Sequence, residues 1–196
     1  MSKFIEAIKK NREDIIKPVG VLLAICIIIP LALSVTNKVT AKKIAELENE
    51  NSKKNMQSLV SADDFEKCSD GGIEYYIAIK GGETAAYIFT ESAKGYGGDV
   101  SVMTAVKPDG TVAGVAILDV SNETPGLGQN AAKESFYSQY AGLKKGVSLL
   151  KNGAKAENNE VDAVTGATIT STAVTRAVNA ALDDFEKVKG ATVGEE

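Results

Sequence analysis

Histidine is missing from all 196 residues. That absence removes Ser-His-Asp and Cys-His catalysis, histidine-ligated metal sites and haem attachment of the Cys-x-x-Cys-His kind. Few enzymes work without any histidine unless a cofactor carries the chemistry. Cysteine is scarce too. Cys26 and Cys68 are the only two, too few for a four-thiolate iron–sulfur cluster, and Cys26 lies in an apolar run, which argues against a disulfide between them. Basic charge is not in excess: the net charge is −4 and the pI near 5.1. No basic patch interleaved with aromatics occurs, so nucleic acid is not an expected partner. No internal repeat is visible, and the length suits one ordinary domain beyond any anchor.

What is present begins with one long apolar run, Pro18–Val35. Between Lys17 and Lys38 stand twenty uncharged residues; at about 1.5 Å per helical residue they cover a hydrocarbon core of roughly 30 Å. A single transmembrane helix over residues 18–37 is the expectation. Two competitors read the same residues differently. A secretory signal would be cut near Ala32-Leu33-Ser34, but its apolar region is usually only about 7–15 residues. A lipoprotein signal at Leu23-Ala24-Ile25-Cys26 would place bulky Ile25 where a small residue is wanted, leaving Cys26 as a small apolar residue of the span. Pro18 suits a first helical turn and Pro30 predicts a local kink. Charge does not orient the span: Lys3, Lys9, Lys10, Arg12 and Lys17 precede it, while Lys38, Lys42, Lys43, Lys53 and Lys54 follow, a tie under the positive-inside rule.

Residues 38–60 are rich in Lys, Glu, Asn and Ala, with sparse apolar positions at Val39, Ile44, Leu47, Met56 and Leu59, so they read as a helical stalk. A compact domain is expected over residues 61–189. Tyr75–Lys80 and Ala85–Thr90 flank Gly81-Gly82-Glu83-Thr84, and Val100–Val106 and Thr111–Val120 flank Lys107-Pro108-Asp109-Gly110. Two hairpins follow, hence an antiparallel sheet. A helix is expected at Ala131–Tyr140, a polar surface loop at Lys151–Glu160, a last helix ending near Val188, and a frayed tail over residues 190–196. Strands followed by helices give an α+β fold.

The last helix carries the chemical signal. Val174, Ala177, Val178, Ala181, Leu182 and Phe185 mark one buried face, and directly before it runs Asp162-Ala163-Val164-Thr165-Gly166-Ala167-Thr168. A helix N-terminus presents unpaired N–H groups and partial positive charge, Gly166 lets a ligand approach the backbone, and Thr165, Thr168 and Thr170 offer hydroxyls. A phosphate fits there. The plainer alternative is that Thr168 or Thr170 only caps the helix.

Asp-x-x-Thr-Gly-Ala-Thr at 162–168 resembles the flavinylation motif of the FMN-binding domain family, found in the G subunit of Rnf complexes and the C subunit of the sodium-pumping NADH:quinone reductase. Glu123-Thr124-Pro125-Gly126-Leu127-Gly128 matches a second family segment, and Gly95-Tyr96-Gly97-Gly98 more weakly a third. The three stand in the family's order, and the resemblance covers roughly Tyr76–Val188 plus the anchor.

The resemblance implies FMN held by a phosphoester to Thr168, attached by a dedicated flavin transferase that uses a divalent metal. It implies that Thr165, Gly166 and Ala167 complete the attachment turn. Thr124 and the Gly126–Gly128 backbone would be hydrogen-bonding neighbours of the flavin, and Leu127 an apolar wall. Three residues keep open alternatives: Tyr96 stacks near the ring or packs in the loop, Glu123 faces the flavin or is a surface carboxylate fixing the loop, and Asp162 belongs to the sequence read during transfer or only bonds neighbouring N–H groups. Pro125-Gly126 also suits an ordinary type II turn with no ligand. Thr170, Ser171 and Thr172 leave the acceptor ambiguous by composition, and Thr168 is chosen on the family pattern. Ser121-Asn122 stands where the family often has a basic or histidine residue.

The short chain favours the Rnf type. The implied function is an electron relay in a complex that passes electrons between ferredoxin and NAD while moving Na⁺ or H⁺. Its partners would be the other membrane subunits, with a cytoplasmic N-terminal segment over residues 1–17 and the domain on the outer face of the cytoplasmic membrane. The alternatives are a flavinylated surface protein of extracellular electron transfer and a non-redox anchored scaffold.

Overall fold

A computed structural model describes residues 12–150 and 159–189. Residues 151–158 of the expected Lys151–Glu160 surface loop, the tail over 190–196 and the segment before Arg12 lie outside the described residues, and Glu160 at the end of that loop is part of a short strand. The chain divides into two compact units, Met1–Asn51 and Ser52–Glu196.

The first unit is helical throughout its described part. Helix α1 runs Arg12–Leu59 and includes both Pro18 and Pro30. Within it Ile16–Lys38, 23 residues, is long and apolar enough to cross a membrane, and none of its most apolar stretch is buried. Leu22, Ile28 and Leu33 are each more than 60% exposed, so the apolar surface runs all round the helix instead of forming one stripe, the pattern of a span rather than of a core helix. Thr36 and Thr40 return their hydroxyls to the carbonyls four residues back, at 2.9 and 2.8 Å, which satisfies those groups without water.

In the second unit five strands form one antiparallel meander in the order β1 (Asp64–Asp70), β2 (Ile73–Lys80), β3 (Glu83–Lys94), β4 (Asp99–Val106), β5 (Val112–Asp119). The two expected hairpins are there. Strand β1 adds a fifth strand: its sequence, Asp-Phe-Glu-Lys-Cys-Ser-Asp, is too polar to announce a strand and suits an edge, where charge deters pairing with another chain. The turn after β2 is tighter than expected, since Lys80 pairs with Glu83 across Gly81-Gly82 alone. Both glycines have positive φ, 61° and 84°, as a two-residue type I′ turn requires.

Alternation along the strands gives the sheet two apolar faces. Tyr87, Phe89, Val100, Val102 and Val106 point to one, and Ala86, Ile88, Met103 and Ala105 to the other. The second face is covered by Met56 and Leu59 at the end of α1, so the last turn of the expected stalk packs along one side, with Met56 2% exposed, while Gln57 and Ser58 stay exposed.

The first face is covered by the last helix, whose buried stripe Val174, Ala177, Val178, Ala181, Leu182, Phe185 and Val188 recurs every three or four residues. Phe185 meets Tyr87 edge to face at 5.3 Å, and Tyr75 stacks on Phe89 at 5.6 Å. The architecture is α+β, a helix on an antiparallel sheet.

The expected continuous helix over 131–140 is absent. A 3₁₀ turn, Gly128–Ala132, is followed by a single α turn, α2 (Glu134–Tyr137), and another 3₁₀ turn, Ser138–Tyr140. Lys133 is extended (φ −79°, ψ 140°) and donates its N–H to Asn130 O, which ends the first turn before a second can join it. Short strands β6 (Ser148–Leu149) and β7 (Glu160–Val161) pair in parallel. They deliver the chain to the start of α3 (Thr168–Val188).

Candidate functional site

Three chain segments converge at one end of the sheet: the Gly95–Gly98 turn between β3 and β4, the loop after β5, and the entry to α3. They enclose a cavity of about 530 Å³ lined by Tyr96, Glu123, Thr124, Leu127, Gly128, Gly166, Ala167, Thr168, Ile169 and Thr170. This is the size range of small-molecule and cofactor sites.

The loop after β5 takes its shape from two hydrogen bonds and a proline. Leu127 N–H donates to Thr124 O at 3.2 Å, with Pro125 second and Gly126 third at φ 75°. That is a type II turn, which favours proline and glycine at those places. Asn130 Nδ2 donates to Gly126 O at 2.5 Å and ties the turn to the following 3₁₀ segment. The consequence is an apolar side chain held out at the cavity, Leu127, 44% exposed.

The entry to α3 is built by a second turn. Ala167 N–H donates to Val164 O at 2.9 Å, and Gly166 has φ 76°. Ser171, fully buried, accepts from Val164 N–H and donates to Ala167 O, both at 3.0 Å. Ala167 stands at the cap position with no side chain capping the helix, so the plain capping alternative for Thr168 and Thr170 does not hold. The first N–H groups of α3 are left to the cavity, with the positive end of the helix dipole behind them.

The five hydroxyls near the turn are thereby distinguished. Thr170 is buried and donates to Glu123 Oε2 at 2.5 Å, Ser171 is consumed in the turn, and Thr172 donates to Thr168 O at 2.7 Å. Thr165 and Thr168 are exposed. Thr168 faces the cavity, whereas Thr165 lines a separate polar recess of about 580 Å³ with Asp162, Lys133 and Gln139.

Glu123 is not a surface carboxylate: it is 2% exposed. Gly97 N–H donates to its Oε1 at 2.9 Å. Burial pushes its pKa up, but hydrogen bonds from Thr170 and from the N–H groups of Gly97, Gly98 and Tyr96 more than offset this and hold the carboxyl below its ordinary value.

Tyr96 is 73% exposed at the tip of its turn rather than packed. Of the residues singled out from sequence, Asp162, Thr165 and Gly126 do not line the cavity. Asp162 is exposed, its backbone clasped by Gln139: Asp162 N–H donates to Gln139 Oε1 at 2.8 Å, and Gln139 Nε2 to Asp162 O at 3.3 Å. Ile169 as a cavity wall and Thr170 as the partner of Glu123 were not assigned from sequence, because a hydrogen bond across 47 positions leaves no local signal.

Comparison with known proteins bears on this geometry. A family model described as the FMN-binding domain matches residues 95–183, a range that begins at the Gly95 turn and contains all three converging segments. The G subunit of the proton-translocating ferredoxin:NAD(+) oxidoreductase complex of Clostridium ljungdahlii is 40% identical over 165 residues, covering 84% of this chain and 85% of that protein. The chain belongs to the G-subunit family of ion-translocating oxidoreductase complexes.

Another member of this G-subunit family, from the Na(+)-translocating ferredoxin:NAD(+) oxidoreductase complex of Acetobacterium woodii, is 34% identical over 188 residues, covering 86% of this chain and 90% of its own length. In fold, the chain is similar to the crystal structure of NqrC from Shewanella oneidensis, with a TM-score of 0.55 at 22% identity, covering 64% of this chain and 70% of that one.

Proposed function

We propose that this member of the G-subunit family carries FMN through a phosphoester to Thr168 and serves as an electron relay inside a membrane complex that couples ferredoxin:NAD electron transfer to movement of Na⁺ or H⁺. The observation that carries the reading is Thr168 itself, an exposed hydroxyl facing the cavity on the first turn of a helix that no side chain caps. A phosphate linked there would meet the free N–H groups of α3 and the positive end of its dipole. The donor set fits the group in other respects: Leu127, Ile169 and Tyr96 offer apolar surface to a flat ring, Thr124 and Gly128 offer polar backbone and a hydroxyl, and Thr165, Gly166 and Ala167 shape the attachment turn.

FMN bound there supplies one- and two-electron transfer. The chain's own residues hold, orient and shield it. Covalent attachment makes occupancy independent of free flavin, which suits a domain on the outer face of the cytoplasmic membrane, where lost cofactor would not be resupplied. In this reading Ile16–Lys38 is the single-pass anchor and packs against other membrane subunits of the complex. A flavin transferase matures the chain by engaging the Asp162–Thr168 segment, and the exposed carboxylate of Asp162 is free to take part in that recognition.

The test is expression of the full chain together with a flavin transferase and the other subunits of the complex, followed by denaturing electrophoresis of the membranes and by affinity purification in mild detergent. A fluorescent band at the chain's mass that copurifies with integral membrane subunits is the expected result. A fluorescent chain that purifies alone would instead make it a flavinylated surface protein. A dark band, beside a positive control in the same cells, would leave an anchored scaffold.

A further inference from the structure

We propose that Glu123 is a positioning residue: its buried carboxylate ties the Gly95–Gly98 turn to the first turn of α3 and holds a fixed negative charge against the cavity. The charge half of this proposal rests on the FMN reading above, and the tie does not.

The tie is made by two oxygens facing in different directions. Oε1 accepts from Gly97 N–H at 2.9 Å, and Oε2 accepts from Thr170 Oγ1 at 2.5 Å. One side chain therefore joins three segments that are far apart in sequence, at positions 97, 123 and 170. A hydrogen bond to a charged acceptor contributes more than a neutral one, and leaving either donor unpaired in a buried place costs its desolvation.

Two of the neighbouring glycines follow from the same side chain, and two from Asn122 beside it. A Cβ on Gly128 would lie 2.6 Å from Glu123 Oε2 and 2.8 Å from Thr170 Oγ1, and one on Gly95 would lie 2.5 Å from Glu123 Oε1. On Gly98 it would meet Asn122 Cβ at 2.8 Å, and on Gly97 it would overlap the Asn122 carbonyl. The Gly-x-Gly-Gly string is thus carved around Asn122-Glu123, so these glycines have a reason that needs no ligand.

Among the described residues the charge has no local counterion. Among the described residues the cavity is lined by no lysine or arginine, and the carboxylate is balanced only by N–H and O–H dipoles. An uncompensated anion in a protein interior acts on neighbouring charge with little screening. It opposes arrival of an electron in the cavity, and so should make a flavin there harder to reduce.

The experiment compares wild type, Glu123→Gln and Thr170→Val as full chains in detergent. In protein without flavin, amide hydrogen exchange at Tyr96, Gly97 and Gly98 should speed up by about tenfold or more in Glu123→Gln, on the scale of one charged hydrogen bond. Thr170→Val should speed exchange at Ser171, whose N–H donates to Ala167 O in the first turn of α3. In loaded protein the flavin midpoint potential should move positive in Glu123→Gln and not in Thr170→Val, which keeps the charge while removing one of the dipoles that balance it. Unchanged exchange at 96–98 in Glu123→Gln overturns the tie. Equal potentials in the two variants overturn the charge role, because a merely structural defect would move both alike. If wild type takes up no flavin, the functional reading fails and the charge role with it, while exchange still decides the tie.

Discussion

Alanine at Gly166 separates the backbone demand of the attachment turn from everything else the turn does. Gly166 sits at φ 76°, where an L side chain is disfavoured by roughly 1–2 kcal/mol. Its new Cβ would also lie 3.1 Å from Leu127 Cδ2. Leu127 is 44% exposed and can swing outward, so this contact adds only a few tenths of a kcal/mol. The sum is about 1–2 kcal/mol, which for a domain of this size lowers the Tm by roughly 3–8 °C.

Two controls sharpen the test. Gly166→Asn should cost about half as much, since asparagine tolerates the left-handed region. Gly126→Ala, at φ 75° with nothing within 4 Å of the added carbon, should match Gly166→Ala in stability yet keep covalent flavin, because it leaves the entry to α3 alone. Thermal unfolding of the full chain in detergent, followed by near-ultraviolet circular dichroism, gives the first readout, and flavin fluorescence on denaturing gels the second. A Gly166→Ala protein melting within about 1 °C of wild type, or an asparagine variant as damaged as the alanine one, would refute the reasoning.

Other consequences are independent of that turn. Phe185 is 2% exposed and packs edge to face on Tyr87, so Phe185→Ala should cost about 3–5 kcal/mol, read as a lower denaturation midpoint with an unchanged slope. Glu91 has its pKa raised, chiefly by burial and then by the carboxylate of Asp184, with Lys187 partly opposing. The fold therefore favours its neutral form, and ionisation costs stability as pH rises. Glu91→Gln should melt higher than wild type near pH 7.5 and show no advantage near pH 4, where the glutamate is already largely protonated; an advantage that is the same at both would contradict this. Gln139→Ala removes both bonds to the Asp162 backbone and should loosen the segment preceding the attachment turn, seen as faster proteolysis there without loss of the sheet.

Local chemistry explains which parts of the molecule were legible in the sequence. Strands β2 to β5 show because their turns carry Gly-Gly and Pro-Asp-Gly between alternating apolar residues, and α3 because its apolar residues recur with helical spacing. Strand β1 does not show, since an edge strand needs few apolar residues, and Asp64–Asp70 supplies only Phe65 and Cys68 to the packing. The segment 131–140 has the composition of a helix, yet extended Lys133 divides it, and that is a property of the loop it closes.

At the site, the motifs placed Tyr96, Thr124, Leu127, Gly128 and Thr168 around one cavity, because each motif is contiguous. The burial of Glu123 was not legible, because a carboxylate reads as surface until its donors, which come from two distant segments, are known.

Mass spectrometry of the tryptic peptide spanning residues 156–176 is the decisive test of a phosphoester at Thr168. That peptide contains Thr165, Thr168, Thr170, Ser171, Thr172 and Thr175, so backbone fragmentation locates the attachment without a substitution. A phosphoester at Thr168 gives a flavin-phosphate mass increment confined to fragments that include Thr168, and its loss from the peptide in Thr168→Ala. An increment on Thr165 or Thr170, or an unmodified peptide from protein that is yellow after denaturation, would contradict it.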